Sequence, residues 1–249
     1  MTVPSTFKDH FSGQSQAYRD CRPGYPPELF AWLAEIAPGR RLAIDVGTGN
    51  GQAAVALAGY FERVLATEPS AEQLTRARPQ PRVEYRQEPA EAITAETGSA
   101  DLLVAAQAAH WFDWPRFTAE AARVLRRGGV LAVWCYGNCG VAPEIDRLVR
   151  DFSRDVVGPY WPRERRHVEE AYRDLVPPLP ALAAPTFEMR ARWDARAMLG
   201  YFGTWSAVSR CRIRSGRDPV ALLAGPLAAA WGDGLRDVRW PLTLRAGRA

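Results

Sequence analysis

Apolar and polar positions change period several times along the chain, and each change marks an element. After Pro26-Pro27, Leu29, Leu33 and Ile36 recur at helical spacing over Glu28–Ala37, and Pro38-Gly39 closes that segment. Leu42–Val46 is a short continuous apolar run, as expected of a strand buried on both faces. A glycine-rich turn then leads into a helix over Gln52–Tyr60. Val64–Thr67 reads as a second strand, and Ser70 with Gln73 makes a capping box for the helix after it. Val83–Arg86 is a weaker third strand and Asp101–Ala106 a fourth. Pro115 opens a helix on which Phe117, Ala121 and Val124 share a face, with Gly128-Gly129 as its expected end. Val130–Cys135 reads as a fifth strand.

Strands alternating with helices imply right-handed crossovers and a parallel, doubly wound sheet. The rhythm stops after Tyr136. Residues 137–185 are rich in aromatics and proline and read as irregular helix. Thr186–Trp193 then alternates, placing Phe187, Met189, Ala191 and Trp193 on one face. Ala195–Trp231 reads as helical, and Val238–Leu244 alternates as a closing strand. The expected architecture is one α/β domain over 1–249, with a Rossmann-like, doubly wound, mostly parallel seven-stranded sheet. Residues 1–40 form an N-terminal cap segment and first helix, and 41–136 the binding core. Helical cap insertions follow strand 5 (137–185) and separate the last two strands (194–236). No repeat or low-complexity linker interrupts it.

Composition narrows the partners. Apolar residues make up 47% of the 249, enough for a sizeable core and too many for a disordered chain. The stretch Pro219–Gly232 is shorter than the roughly 20 residues a bilayer requires and contains Pro226. Met1–Tyr18 has no basic-then-apolar signal pattern, so a cytoplasmic protein without membrane contact is expected. Cys21, Cys135, Cys139 and Cys211 are too few for a disulfide framework and no His/Cys set completes a metal site, so reduced thiols are expected. The net charge is +4 with a pI near 9.0, but 31 of the 32 basic residues are Arg, Lys8 being the lone lysine. The densest cluster, Arg163–Arg166, contains Glu164 and is followed by Glu169 and Glu170, which fits a solvated helix face and not a nucleic-acid track. The expected state is a monomer or homodimer acting on a small molecule.

The chemistry concentrates at AIDVGTGNGQ, residues 43–52. A buried strand runs into Gly47, Gly49 and Gly51, and a helix starts at once, which lets a ligand lie against bare peptide groups. Glu68 ends the second strand about 20 residues on, where a carboxylate reaches both ribose hydroxyls. The spacing Gly-x-Gly-x-Gly differs from the dinucleotide fingerprint, and acidic Asp45 on the first strand disfavours a pyrophosphate. It suits a ligand with a cationic ammonium or sulfonium, which points to S-adenosylmethionine before NAD.

These residues resemble the class I S-adenosylmethionine-dependent methyltransferases, type 11, and most closely the trans-aconitate methyltransferase-like branch. The shared stretches are DVGTGNG at 45–51, Glu68, PAEA at 89–92, DLLVAAQAAHWFD at 101–113, RVLRRGGVLAVW at 123–134 and FSGQSQAYRDCRPGYP at 11–26. The resemblance implies that Gly47, Gly49 and Gly51 pack against methionine and ribose, and that Asp45 anchors the loop or the amino group. It implies that Glu68 holds the ribose, that Ala90 with Glu91 meets adenine, and that Gln107 sits by the methionyl group with Trp111 near the cofactor. Tyr18 and Arg22, in a segment folded over the cofactor, would clamp its carboxylate. Two departures stand out: Pro89 replaces an Asp that many relatives carry beside the adenine, and Gly137-Asn138-Cys139 replaces bulkier apolar residues, directing Asn138 toward the reactive end.

Methyl transfer is an in-line displacement needing a base only where the nucleophile arrives protonated. His110 is the best-placed titratable group, as a base or as a structural histidine beneath the cofactor. Trp111, Phe112, Tyr136, Tyr160, Trp161, Tyr172, Tyr201 and Trp205 are aromatic candidates for the pocket, and Arg163, Arg165 and Arg166 for an acidic substrate. The leading expectation is methyl transfer to a small molecule, a carboxylate among the candidates. One alternative is an S-adenosylmethionine-consuming cyclase that releases methylthioadenosine and azetidine-2-carboxylate, with Asn138, Tyr172 and Ser206 orienting the cofactor's amine. Another is a non-catalytic cofactor-binding protein.

Overall fold

The computed structural model describes residues 22–249. Its order is α1 (Pro27–Ile36), β1 (Leu42–Val46), α2 (Gln52–Leu57), β2 (Arg63–Thr67), α3 (Ala71–Leu74), β3 (Val83–Arg86), β4 (Ala100–Ala106), α4 (Trp114–Val124) and β5 (Leu125–Tyr136). Then come α5 (Pro143–Asp151), α6 (Arg165–Glu169), β6 (Glu188–Trp193), α7 (Ala195–Gly203), α8 (Ser206–Ser215), α9 (Val220–Trp231) and β7 (Arg236–Arg248). The strands form one seven-stranded sheet in the order β3-β2-β1-β4-β5-β7-β6. β1 to β5 pair in parallel, while β7 runs antiparallel to both β5 and β6.

The central strands are mostly apolar because helices cover both faces: β1 and β4 are almost wholly buried, with Asp45 and Asp101 as their only charged residues. One apolar cluster around Ile44, Leu103, Phe117 and Val133 fills one side, and another around Leu29, Leu57, Val104 and Trp134 fills the other. The cap has its own core of Tyr136, Phe152, Tyr201, Phe202, Trp205 and Trp240. The chain turns outward from β1 to β3 and returns on the other side of β1 with β4. That reversal opens a crevice beyond the carboxyl ends of β1 and β4.

The closing strand runs longer than expected, over Arg236–Arg248, and the helical stretch Ala195–Trp231 divides into α7, α8 and α9. Two further differences are informative. The helix from Gln52 ends at Leu57, and Ala58–Tyr60 tighten into turns closed by Gly59 N–H to Ala56 O and Tyr60 N–H to Leu57 O. Gly128-Gly129 does not end α4, which stops at Val124. The glycines lie inside β5, where the register jumps from Ala100–Leu125 to Leu102–Val130, so an irregularity in a long strand carries the signature of a helix stop.

Asp101, fully buried at the start of β4, ties the sheet's amino end together. Its Oδ2 accepts from Arg41 N–H at 2.7 Å and Leu42 N–H at 3.0 Å, and its Oδ1 lies 2.8 Å from Arg126 Nε. Asp101→Ala leaves two amides and a guanidinium without their acceptor, and we expect a loss of about 3 kcal/mol in urea unfolding.

Candidate active site

A cavity of about 790 Å³ occupies the crevice, within the size range of small-molecule sites. Its floor is the turn after β1. Gly47, Gly49 and Gly51 have φ of +66°, +58° and +84°, and an added Cβ would sit 2.7 Å from Ala108 Cβ, 3.2 Å from Gln73 Oε1 and 2.2 Å from Tyr85 Oη. Gly47 and Gly49 line the cavity and present bare backbone to it, as a nucleoside ligand requires, while Gly51 does not line it and is needed bare for the approach of Tyr85.

Glu68 stands beside that loop. Buried at the end of β2, it accepts from Gly49 N–H through Oε2 at 3.0 Å and from Ser70 N–H through Oε1 at 3.1 Å. These amides fix the carboxylate at the cavity wall, and each oxygen keeps lone-pair capacity for a diol. Asp45 lies one layer deeper and does not line the cavity. Thr48 Oγ1 donates to its Oδ2 at 2.6 Å, so the loop-anchoring role is the one the geometry supports and the amino-group role is not. Burial pushes the Asp45 carboxyl up to about 7, against the pull of the Thr48 hydroxyl.

Arg22 lines the cavity and donates to Tyr136 Oη at 2.7 Å, while Gln52 Nε2 donates to Pro23 O at 3.1 Å, docking the start of the described chain on the loop. Tyr18 lies outside the described residues. Ala90 and Glu91 line the cavity, and the Glu91 carboxylate accepts from Asp113 N–H at 2.8 Å. Gln107, at φ +56°, spends its amide on β5: Nε2 donates to Tyr136 O at 3.1 Å and Oε1 accepts from Tyr136 N–H at 2.8 Å. Its side chain therefore holds the end of β5 while the residue lines the cavity.

His110 and Trp111 lie on a single 3₁₀ turn at the cavity wall. His110 Nδ1 is 2.9 Å from Tyr172 Oη, and both groups are buried. Burial, then the Arg165 and His167 charges, push the His110 imidazole down to about 3. Burial likewise raises the Tyr172 phenol well above its usual range. The pair is neutral at physiological pH, which favours the structural reading of His110 over that of a base. Ser206, buried at the start of α8, lines the cavity. Asn138 does not: it is exposed and accepts from Arg165 Nη2 at 3.3 Å. Tyr172 is also absent from the lining. Of Asn138, Tyr172 and Ser206, Ser206 alone lines the cavity.

Sequence reasoning missed Gln52, Gln73, Arg78 and Arg116 at the wall. Gln52 was within reach as the residue following the last glycine; the others lie where no local pattern points. Among the described residues no His/Cys/Asp/Glu group is arranged to hold a metal, Cys135, Cys139 and Cys211 are free and buried, and no helix is long and apolar enough to cross a membrane.

A doubly wound sheet with an antiparallel strand next to β5, a glycine cradle and an acid at the end of β2 together define a class I S-adenosylmethionine-dependent methyltransferase. Comparison with known proteins agrees: the family model described as a methyltransferase domain matches residues 44–133. A Dictyostelium discoideum protein named as a methyltransferase is 34% identical, the alignment covering 96% of this chain and 95% of that one. A solved structure from Anaeromyxobacter dehalogenans, titled as a type II methyltransferase, is 48% identical with a TM-score of 0.84, over 91% of this chain and 97% of that one. An Anabaena variabilis structure titled as a methyltransferase from an antibiotic biosynthesis pathway shares the fold at 16% identity and TM-score 0.55, over 90% and 99% of the two chains. The chain belongs to the S-adenosylmethionine-dependent methyltransferase family.

Proposed function

We propose that this enzyme transfers the methyl group of S-adenosylmethionine to a small-molecule acceptor, a carboxylate, held beneath the helical cap. The observation that carries this reading is the Glu68 carboxylate fixed by Gly49 N–H at the edge of one continuous cavity, which extends from the glycine turn to Trp161, Tyr201 and Trp205 of the cap. The likeness to the trans-aconitate-like branch favours a carboxylate acceptor. S-adenosylmethionine, when bound, supplies a methyl carbon activated by its sulfonium. The chain's part is alignment and exclusion of water, effects worth roughly 7–11 kcal/mol in well-oriented systems. Glu68 accepts from the ribose hydroxyls, the glycine turn admits the ribose and methionine, and the wall around Ala90 meets the adenine. Aromatic faces at Trp111 and Tyr136 favour the cationic end, by about 0.5–2 kcal/mol each.

Incubation with S-adenosylmethionine and a panel of carboxylate, amine and phenol acceptors, read by mass spectrometry, tests the reaction. S-adenosylhomocysteine is expected only when an acceptor is present; methylthioadenosine formed from S-adenosylmethionine alone would overturn the proposal in favour of cyclisation. Glu68→Ala removes the ribose acceptor and the partner of two amides. We expect it to weaken S-adenosylhomocysteine binding about 30-fold by calorimetry, about 2 kcal/mol.

A further inference from the structure

Among the described residues of the two helical insertions that line the cavity, Arg165 is the one cation; Arg22, Arg78 and Arg116 line it from other elements. The sequence places it in a run of arginines suited to a solvated face, and Arg163 and Arg166 are indeed exposed. Arg165 behaves differently: its side chain is only 15% exposed and its guanidinium stacks on Trp161, 4.4 Å from the ring centroid. Its polar contacts are slight, Nη2 to Asn138 Oδ1 at 3.3 Å and Nε to a Glu169 carboxylate at 3.6 Å that is 58% exposed. Neither is the bidentate carboxylate pair that a guanidinium fork favours, while the stack holds the fork in place before any ligand arrives.

We propose that Arg165 is the acceptor-selecting residue: it holds the carboxylate of a small organic acid whose apolar body packs on Trp161, Tyr201 and Trp205. This rests on the reading of the site as a small-molecule methyltransferase and extends it to a residue and a discriminating charge. The rest of the cavity suits an acceptor that arrives already ionised. Glu68 is fixed by two amides and given to the ribose, Glu91 accepts from Asp113 N–H, Asp113 Oδ1 caps Arg116 N–H, and Glu164 lies in the field of Arg210. His110 is held neutral against Tyr172. These wall groups already hold partners and His110, with its lowered pKa, is a weak base, whereas a carboxylate needs no proton removed. One of its oxygens forms the new bond to the methyl carbon as the carbon–sulfur bond breaks, the electron pair leaves with sulfur, and ester and thioether are both neutral.

The test is calorimetric titration of the enzyme saturated with S-adenosylhomocysteine, using benzoate and indole-3-acetate against benzamide and indole-3-acetamide. The wild type should bind the acids at least about tenfold more tightly than the amides. Arg165→Met should equalise acid and amide, and Arg165→Lys should retain part of the preference, with S-adenosylhomocysteine affinity unchanged in both as the check on folding. Acids binding no better than amides to the wild type, or a preference that survives in Arg165→Met, overturns the proposal. Failure of the wild type to bind S-adenosylhomocysteine, seen in the first titration, would instead overturn the methyltransferase reading beneath it.

Discussion

Gly51→Val is expected to unfold the cofactor turn and abolish S-adenosylmethionine binding, with a stability loss of about 5 kcal/mol. Gly51 caps α2 in the left-handed region at φ +84°, where a β-branched residue is strained by about 1–3 kcal/mol. Steric overlap adds to this, since a Cβ there would meet Tyr85 Oη at 2.2 Å. Tyr85 cannot step aside freely, because its hydroxyl donates to Arg78 O at 2.8 Å and its backbone pairs β3 with β2. Displacing it moves Arg78 at the cavity wall, so stability and binding fall together. Chemical denaturation and calorimetry read the two losses. Gly51→Ala with Tyr85→Ala should recover the steric part and leave the dihedral part. A Gly51→Val protein that binds S-adenosylmethionine normally would contradict this account.

Asp45→Asn should do the opposite to stability, and only above acid pH. The Asp45 carboxyl is raised from 3.8 to about 7, chiefly by burial. The folded protein therefore binds this proton more tightly than the unfolded chain. The side chain costs nothing below pH 3.8, and its cost grows between 3.8 and 7 as the unfolded chain ionises first. Asparagine keeps an acceptor for Thr48 Oγ1 and never ionises. The variant should match the wild type near pH 3.5 and exceed it above pH 7 by on the order of 4 kcal/mol, roughly 10 °C in melting temperature. His110 runs the other way, since its depressed pKa contributes stability that is lost as pH falls from 6.5 toward 3. The two slopes offset each other in the wild type, so the difference between the variants' curves isolates Asp45. A difference that does not change with pH would show that the charge is not buried in the folded state.

Much of the sheet was legible because its strands are buried on both faces. Leu42–Val46 matches the structure residue for residue, as does the half-exposed edge strand Val83–Arg86, which was legible from its β-forming residues instead. Glu68 was legible for a related reason: strand length and crossover fix the end of β2 beside the turn after β1. The cap was not legible. α6 has only five residues and the turn Phe152–Val156 is π-helical, lengths at which tertiary packing outweighs local periodicity. For the same reason the sequence could not separate Arg165 from Arg163 and Arg166, which lie within one turn of it. The hydrogen bonds of Gln107 to Tyr136 and of Asn138 to Arg165 were not legible, because a side chain's partners depend on atoms brought from other parts of the chain. Gly128-Gly129 misled because glycines mark helix ends and strand irregularities alike.

The long strand β7 is wedged between β5 and β6, pairing Val130–Tyr136 with Leu242–Arg248. On the ribosome, β1 to β5 emerge well before their last partner is made. Through that interval β5 shows an unpaired apolar edge, the kind of template that recruits other nascent chains. Closure of the β5 edge thus waits for β7, the last of the seven strands in chain order.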